Sequence, residues 1–389
     1  MLSFGVREMG AALRVLARGE LARYGTTSTS EVARLEDETR RLIGVEHALA
    51  VNSGTSALIC GLVGTGVGPG DEVLVPAYTW VATAAAVLAV GAVPVLAEVD
   101  DSLTIDPVDV KRKITTHTKA IIPVHMMNLV SDMNLIMAIA QEYNLVVIED
   151  ACQAVGVSYR GRRAGSIGHA GAFSFNQQKN IKSGEGGCVL TNDPRTSIRA
   201  GMYHDVGSYV RPGWTGADEP LFVGVNYRMP ELSAAILRPQ LRRLDQQLAL
   251  RRKRRQMAID AIYSSPFCNF SLVPHHDQES AVGLAVRFED PDEARSFACH
   301  RGVSRLIDTG RHVYTNWQSV IAKRSYHKDI NPHRWAHREI DYSASACPET
   351  LSILKRTCAI HVASDLPWPA FLLWLRQFGQ RPFVRASEL

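Results

Sequence analysis

Residues 74–97 read LVPAYTWVATAAAVLAVGAVPVLA, 24 consecutive positions without a charged side chain. A helix that crosses a bilayer needs about 20 such residues, so length alone permits a membrane segment. Punctuation decides otherwise. Pro76, Gly91 and Pro94 cut the stretch into a short apolar run, an alanine-rich helical piece and a β-branched run. Strand, helix, strand in a buried α/β core accounts for all three pieces, and the chain is read as a soluble protein with no membrane span.

The same texture extends to either side. Short β-branched runs recur at 47–51, 72–75, 93–99, 120–125, 145–149, 172–175 and 188–191, with helix-length segments among them. That alternation predicts βαβ units in an α/β fold: a mostly parallel seven-stranded sheet flanked by helices. Ligands of such a sheet sit beyond the carboxyl ends of its strands, so chemistry is sought there. From about Leu237 the pattern turns helical, with Leu237, Leu241, Leu244 and Leu248 in helical register among arginines. This predicts one long connector into a second domain: a large domain over 1–248 and a smaller C-terminal α/β domain over 249–389. The run RRKRR at 251–255 reads as a solvated helix face, because no aromatic interleaving or recognition motif accompanies it.

Composition excludes several classes. With 43 Lys and Arg against 39 Asp and Glu, the formal charge of +4 over 389 residues is too small to mark a nucleic-acid or membrane-surface protein. The seven cysteines are scattered without a CxxC pair, which fits buried thiols in a reducing compartment and neither a disulfide framework nor a metal site. Arg7 and Glu8 interrupt the N-terminus before any apolar run, so no secretory signal is read and a cytoplasmic protein is expected.

Four segments that follow strands or lie between elements carry the candidate chemistry. After the run 47–51 comes Asn52-Ser53-Gly54-Thr55-Ser56, where a helix start with two hydroxyls and a permissive glycine makes an anion site, or simply a capped helix. The run 145–149 ends in Glu149-Asp150, and a carboxylate buried there needs a cation or serves as a helix cap. Residues 174–187 hold Lys179 and Lys182, either of which could attack a carbonyl once deprotonated. Tyr78 and Trp80 could cover a flat ring or fill core.

Taken in order, NSGTSAL (52–58), GDEVLVPAYTWVATA (70–84), AIIPVH (120–125), VVIEDACQA (146–154), FSFNQQKNIKSGEGG (173–187) and GVNYRMPELSAAIL (224–237) resemble the DegT/DnrJ/StrS aminotransferases. These are pyridoxal-phosphate enzymes of the aspartate aminotransferase fold type I that act mostly on keto-sugars and cyclitols. The resemblance runs from about Arg23 to Leu248, with looser pieces such as Cys347-Pro348-Glu349-Thr350 beyond. It implies Lys179, the Lys of SFxxxK ahead of GEGG, as the Schiff-base lysine, with Lys182 outside the motif. Asp150 would pair the ring nitrogen, Gln153 would contact the ring hydroxyl side and Trp80 would lie over the ring face. Gly54, Thr55 and Ser174 would hold the phosphate, and Asn226 would reach a phosphate in the partner subunit of a homodimer with shared active sites. The implied reaction moves an amino group from Glu or Gln to a keto-sugar, keto-cyclitol or related small acceptor, with Lys179 shuttling the proton.

Two departures touch the substrate side. Asn128 stands where the family usually has Gly after VHxx, and His204-Asp205 stands for an expected His-Gly pair. His312, Tyr314, Trp317, His327 and His333 are candidate acceptor-site groups, each also a common structural residue. Relatives that run dehydration carry His in place of the lysine, so Lys179 favours transamination. A lyase of the aminobenzoate-forming type keeps the lysine and is the alternative, ahead of a non-catalytic regulatory protein.

Overall fold

The computed structural model describes residues 4–24, 30–208, 219–264, 269–362 and 366–379; Cys268 lies outside them. Helices α1 (Val6–Arg18) and α2 (Glu31–Ile43) precede strand β1 (His47–Val51) and helix α3 (Gly54–Gly64). Then follow β2 (Glu72–Pro76), α4 (Ala82–Ala89), β3 (Val93–Ala97), α5 (Pro107–Lys113), β4 (Thr118–Ile121), α6 (Met133–Tyr143) and β5 (Val146–Asp150). A small hairpin, β6 (Ser158–Tyr159) and β7 (Arg162–Arg163), leads to β8 (Ala170–Ser174), β9 (Gly187–Thr191) and α7 (Pro194–His204).

Seven strands form one sheet in the order β1-β9-β8-β5-β4-β2-β3. The pairs among β8, β5, β4, β2 and β3 are parallel, whereas β9 runs antiparallel to both β8 and β1, so it is the one reversed strand of this sheet. Every residue of β2, β3, β8 and β9 is buried, as expected for strands covered on both faces. The 74–97 stretch is strand, helix and strand as expected, and no helix of the described residues is long and apolar enough to cross a membrane. Strand β4 ends at Ile121, short of the expected residue 125, because Pro123 offers no N–H to the ladder; only an isolated bridge from Val124 to Asp150 continues it.

The expected long connector is two helices, α8 (Glu231–Leu241) and α9 (Leu244–Tyr263). Pro239 lies inside α8, which runs on to Leu241, and Arg243 (φ −116°, ψ 13°) leaves helical geometry before α9 begins. The four leucines are nonetheless all buried. Beyond α9, a second, antiparallel sheet has the order β10 (Phe270–Leu272), β11 (Ala285–Phe288), β13 (Thr357–Ile360), β12 (Val303–Arg305). It packs with α9, α10 (Pro291–Phe297) and α13 (Trp368–Leu375) around Ile262, Phe288, Phe297, Phe371 and Trp374. The intervening chain turns back: Leu306, Val313, Tyr314, Trp317 and Leu354 join the apolar cluster of the large sheet. Glu98, just past β3, fastens this return by accepting from the Thr350 N–H at 2.7 Å and hydroxyl at 2.5 Å, at the start of α12 (Pro348–Arg356).

The basic run 251–255 is a solvated face only in part: Lys253 is exposed, whereas three of its arginines are held by the protein. Arg254 is 2% exposed, with its guanidinium 4.7 Å from the Phe371 ring centroid and donating to the Leu366 carbonyl at 2.7 Å. Arg255 donates to the Gly283 carbonyl at 2.8 Å and Arg251 to the Asn180 side chain at 2.6 Å. Long cationic side chains bury their stems when their heads find carbonyl acceptors, and this helix lies between both apolar clusters.

Candidate active site

The parallel strands deliver their carboxyl ends to one edge of the large sheet, and the β8–β9 turn lies there too. Asp150, the last residue of β5, is 5% exposed. No helix follows it, so it is no helix cap. Its Oδ2 accepts from the Thr83 hydroxyl at 2.8 Å, Thr83 lies 2.9 Å from the Thr79 hydroxyl, and its Oδ1 accepts from the Cys152 N–H at 3.2 Å. These are neutral donors, so a buried carboxylate here has room for a cationic N–H partner.

Ser53 does cap α3, accepting from the Ser56 N–H at 3.0 Å. Gly54 has a further reason to be glycine. A Cβ built on it would lie 2.7 Å from the Ser174 Cβ and 2.9 Å from the Cys152 Sγ. Residues of three separate motifs thus converge on one point, and the first-turn N–H groups of α3, which have no carbonyl within the helix, open beside the Ser174 hydroxyl.

Lys179 occupies the turn between β8 and β9, its N–H bound to the Asn176 carbonyl at 3.0 Å. Lys182 is held through its backbone, by the Gln240 side chain at 3.1 and 2.8 Å. The neighbouring Asn180 donates to the Asn128 side chain at 2.7 Å and to the Val155 carbonyl at 3.0 Å, while Arg251 holds its oxygen. Asn128 has φ 64°, the left-handed region in which Gly is free and Asn is tolerated, so the departure from Gly preserves the turn and gains an amide for this network. In the same turn the Met127 N–H donates to the Gln153 Oε1 at 3.1 Å, which fixes the predicted ring-contacting side chain. Burial, then the Asp150 charge, pushes the Cys152 thiol well up, so it is an inert wall of the site.

Sequence reasoning missed the layer beneath. Glu149 is fully buried, one residue before Asp150 and on the opposite face. It accepts from the Gly165, Ile167 and Gly168 N–H groups at 2.8, 2.6 and 2.6 Å and from His125 at 2.9 Å. Burial raises its pKa, but the His125 bond and the backbone N–H donors outweigh burial and hold the carboxyl below its usual range. The Ser131 N–H donates to the His125 Nδ1 at 3.2 Å, so the Nε2 carries the proton given to Glu149. The signal was present as the buried Glu beside Asp150 and the His of AIIPVH.

Trp80 is 37% exposed, with the His312 ring centroid 5.0 Å away and the Arg311 guanidinium 4.6 Å over its ring. Asn226 is exposed and accepts from the Arg228 N–H at 3.2 Å, while Arg228 pairs with the buried Asp205. Among the other candidates, Tyr314 is buried and donates to the Ala344 carbonyl at 2.9 Å, and the buried Trp317 donates to the Arg311 carbonyl at 2.8 Å; both pack the return segment. His327 is exposed and accepts from the Asp329 N–H at 3.2 Å, and His333 sits edge-on to Tyr342.

A seven-stranded sheet with one reversed strand, a lysine-bearing turn after β8 and a carboxylate closing β5 define an α/β protein of fold type I, the aminotransferase class. More particularly, residues 7–367 match the DegT/DnrJ/EryC1/StrS aminotransferase family, and the chain belongs to it. Over 234 residues it is 42% identical to the GDP-perosamine synthase of Caulobacter vibrioides, spanning 59% of this chain and 62% of that protein. Its fold is similar to that of 3-amino-5-hydroxybenzoic acid synthase, with TM-score 0.78, 28% identity and coverage of 97% of this chain and 96% of that one. It is also similar to DesV of S. venezuelae, solved with a ketimine intermediate, with TM-score 0.75, 31% identity and coverage of 96% and 94%.

Proposed function

We propose that the protein is a pyridoxal-phosphate-dependent aminotransferase that moves an amino group from Glu or Gln to a keto-sugar or related keto acceptor. The carrying observation is the convergence of Gly54, Ser174 and Asp150 at one sheet edge, with Lys179 in the adjoining turn. The residues suit the cofactor: the close approach at Gly54 leaves space only for backbone, beside hydroxyl and N–H donors apt for a phosphate. The cofactor when bound supplies an electron sink for the donor's α-carbon.

This chain's residues do the rest. Gly54, Thr55 and Ser174 hold the phosphate with backbone and hydroxyl donors. Asp150, fixed by Thr83, keeps a proton on the ring nitrogen. Gln153, oriented by Met127, meets the ring hydroxyl side, and Trp80 covers one face. The Lys179 Nζ would anchor the cofactor and, once released, would act as the base that takes the proton from the donor's α-carbon. Asn226, exposed beside the site-bearing strands, serves the site of a second copy in a homodimer. The buried free thiols Cys60, Cys152, Cys188, Cys347 and Cys358 suit a reducing cytoplasm.

Purified protein given pyridoxal phosphate is expected to turn yellow, and Lys179→Ala to lose that absorbance band. Adding L-glutamate without acceptor is expected to convert the cofactor to its amine form and release one equivalent of 2-oxoglutarate. No conversion by any amino donor, together with turnover of a hydroxylated ring substrate, overturns the reading in favour of a lyase.

A further inference from the structure

Segment 309–317 is stitched to the residues that follow β2. The Thr79 N–H donates to the His312 carbonyl at 3.0 Å, the Val81 N–H to the Arg311 carbonyl at 3.2 Å and the Tyr314 N–H to the Ala77 carbonyl at 3.1 Å. Within the segment, the Trp317 indole donates to the Arg311 carbonyl at 2.8 Å. Arg311 and His312 therefore stand at fixed positions beside Trp80, which is joined through Thr79 and Thr83 to Asp150.

Their side chains differ from the structural ones nearby. Arg228, Arg238 and Arg338 each pair with a carboxylate, on Asp205, on Glu31 and Glu38, and on Glu72. Arg311 has no ion pair among the described residues and lies over the Trp80 face, exposed. A guanidinium on an aromatic face keeps its edge N–H groups free for an oxyanion. The His312 Nδ1 donates to the Thr309 carbonyl at 3.1 Å, which leaves the Nε2 lone pair as an acceptor for a hydroxyl. Burial, with the Lys179 charge as a lesser cause, lowers the His312 pKa.

We propose that Arg311, with Trp80 beneath it and His312 beside it, forms an anion subsite that takes a phosphate or carboxylate group of a substrate and admits a hydroxyl next to it. This rests on the aminotransferase reading above. The shared chemistry is an oxyanion facing a fixed guanidinium; its source is either a phosphate of the acceptor or a carboxylate of the donor.

Calorimetric titration of the cofactor-loaded wild type, Arg311→Ala and Arg311→Lys with GDP and with 2-oxoglutarate separates the sources. Loss of a charge-assisted contact is expected to weaken one probe roughly 10- to 100-fold in Arg311→Ala, with partial recovery in Arg311→Lys. Weakening of GDP assigns the phosphate, and weakening of 2-oxoglutarate assigns the carboxylate. Unchanged affinity for both in an Arg311→Ala protein with wild-type visible absorbance overturns the subsite, as does a wild type that binds neither probe. Failure of the function reading looks different: the wild type takes up no cofactor and shows no visible band.

Discussion

His204 shows how a single group ties stability to pH. It is fully buried, its Nδ1 donating to the Gly201 carbonyl and its Nε2 3.2 Å from the Tyr24 hydroxyl. Burial lowers its pKa to about 4. The unfolded imidazole titrates near 6.5, so between about 6.5 and 4 the unfolded chain binds a proton that the folded chain refuses. Stability is therefore lost as the pH falls through that window, by up to about 1.4 kcal/mol per pH unit. The Tm of wild type is expected to fall more steeply from pH 6.5 to 5 than that of His204→Gln; parallel slopes contradict the assignment. At this scale the sequence was legible where one residue had one use. Asp150 and Lys179 stand out by motif, whereas Glu149 looked like a neighbour of Asp150 and its four donors come from chain segments that no local pattern connects.

Among elements, the edges of the site matter more than their interiors. Gly54→Ala places a methyl group where Ser174 and Cys152 already stand. Overpacking of this kind costs about 1–3 kcal/mol, and here it pushes α3 away from β8. A lower Tm and weaker pyridoxal phosphate uptake, read by absorbance titration, are expected together; a Tm loss with unchanged uptake separates α3 from the cofactor. The strands were readable because breaker residues and β-branched runs are local signals. Two features were not. The break before α9 falls at Arg242 and Arg243, which carry no breaker signal, and the inward role of Arg254 and Arg255 depends on carbonyls of Leu366 and Gly283, far along the chain.

For the whole molecule, the surface of α1 stands out. Val6, Met9, Leu13 and Leu16 are 80, 60, 64 and 53% exposed, at spacings of three and four residues, while Ala11 and Val15 pack on Ala235 of α8. Such a stripe on an ordered helix fits a second copy of the chain. Sedimentation is expected to show Leu13→Glu shifted toward monomer with its fold intact by circular dichroism; an unchanged sedimentation coefficient removes α1 from the interface. In the sequence, assembly was legible only through the resemblance at Asn226, because a stripe spaced like that of α1 serves a buried helix face equally well. The reversed strand β9 has a last consequence. Because β8 and β9 run antiparallel, residues 175–186 leave and re-enter the sheet at the same end, with no crossover helix to carry them away. Lys179 thus sits on a loop that begins and ends at one edge of the sheet, and because Phe175 and Ile181 anchor that loop in the large apolar core, the residues between these two anchors can be exchanged without displacing the strands that carry them.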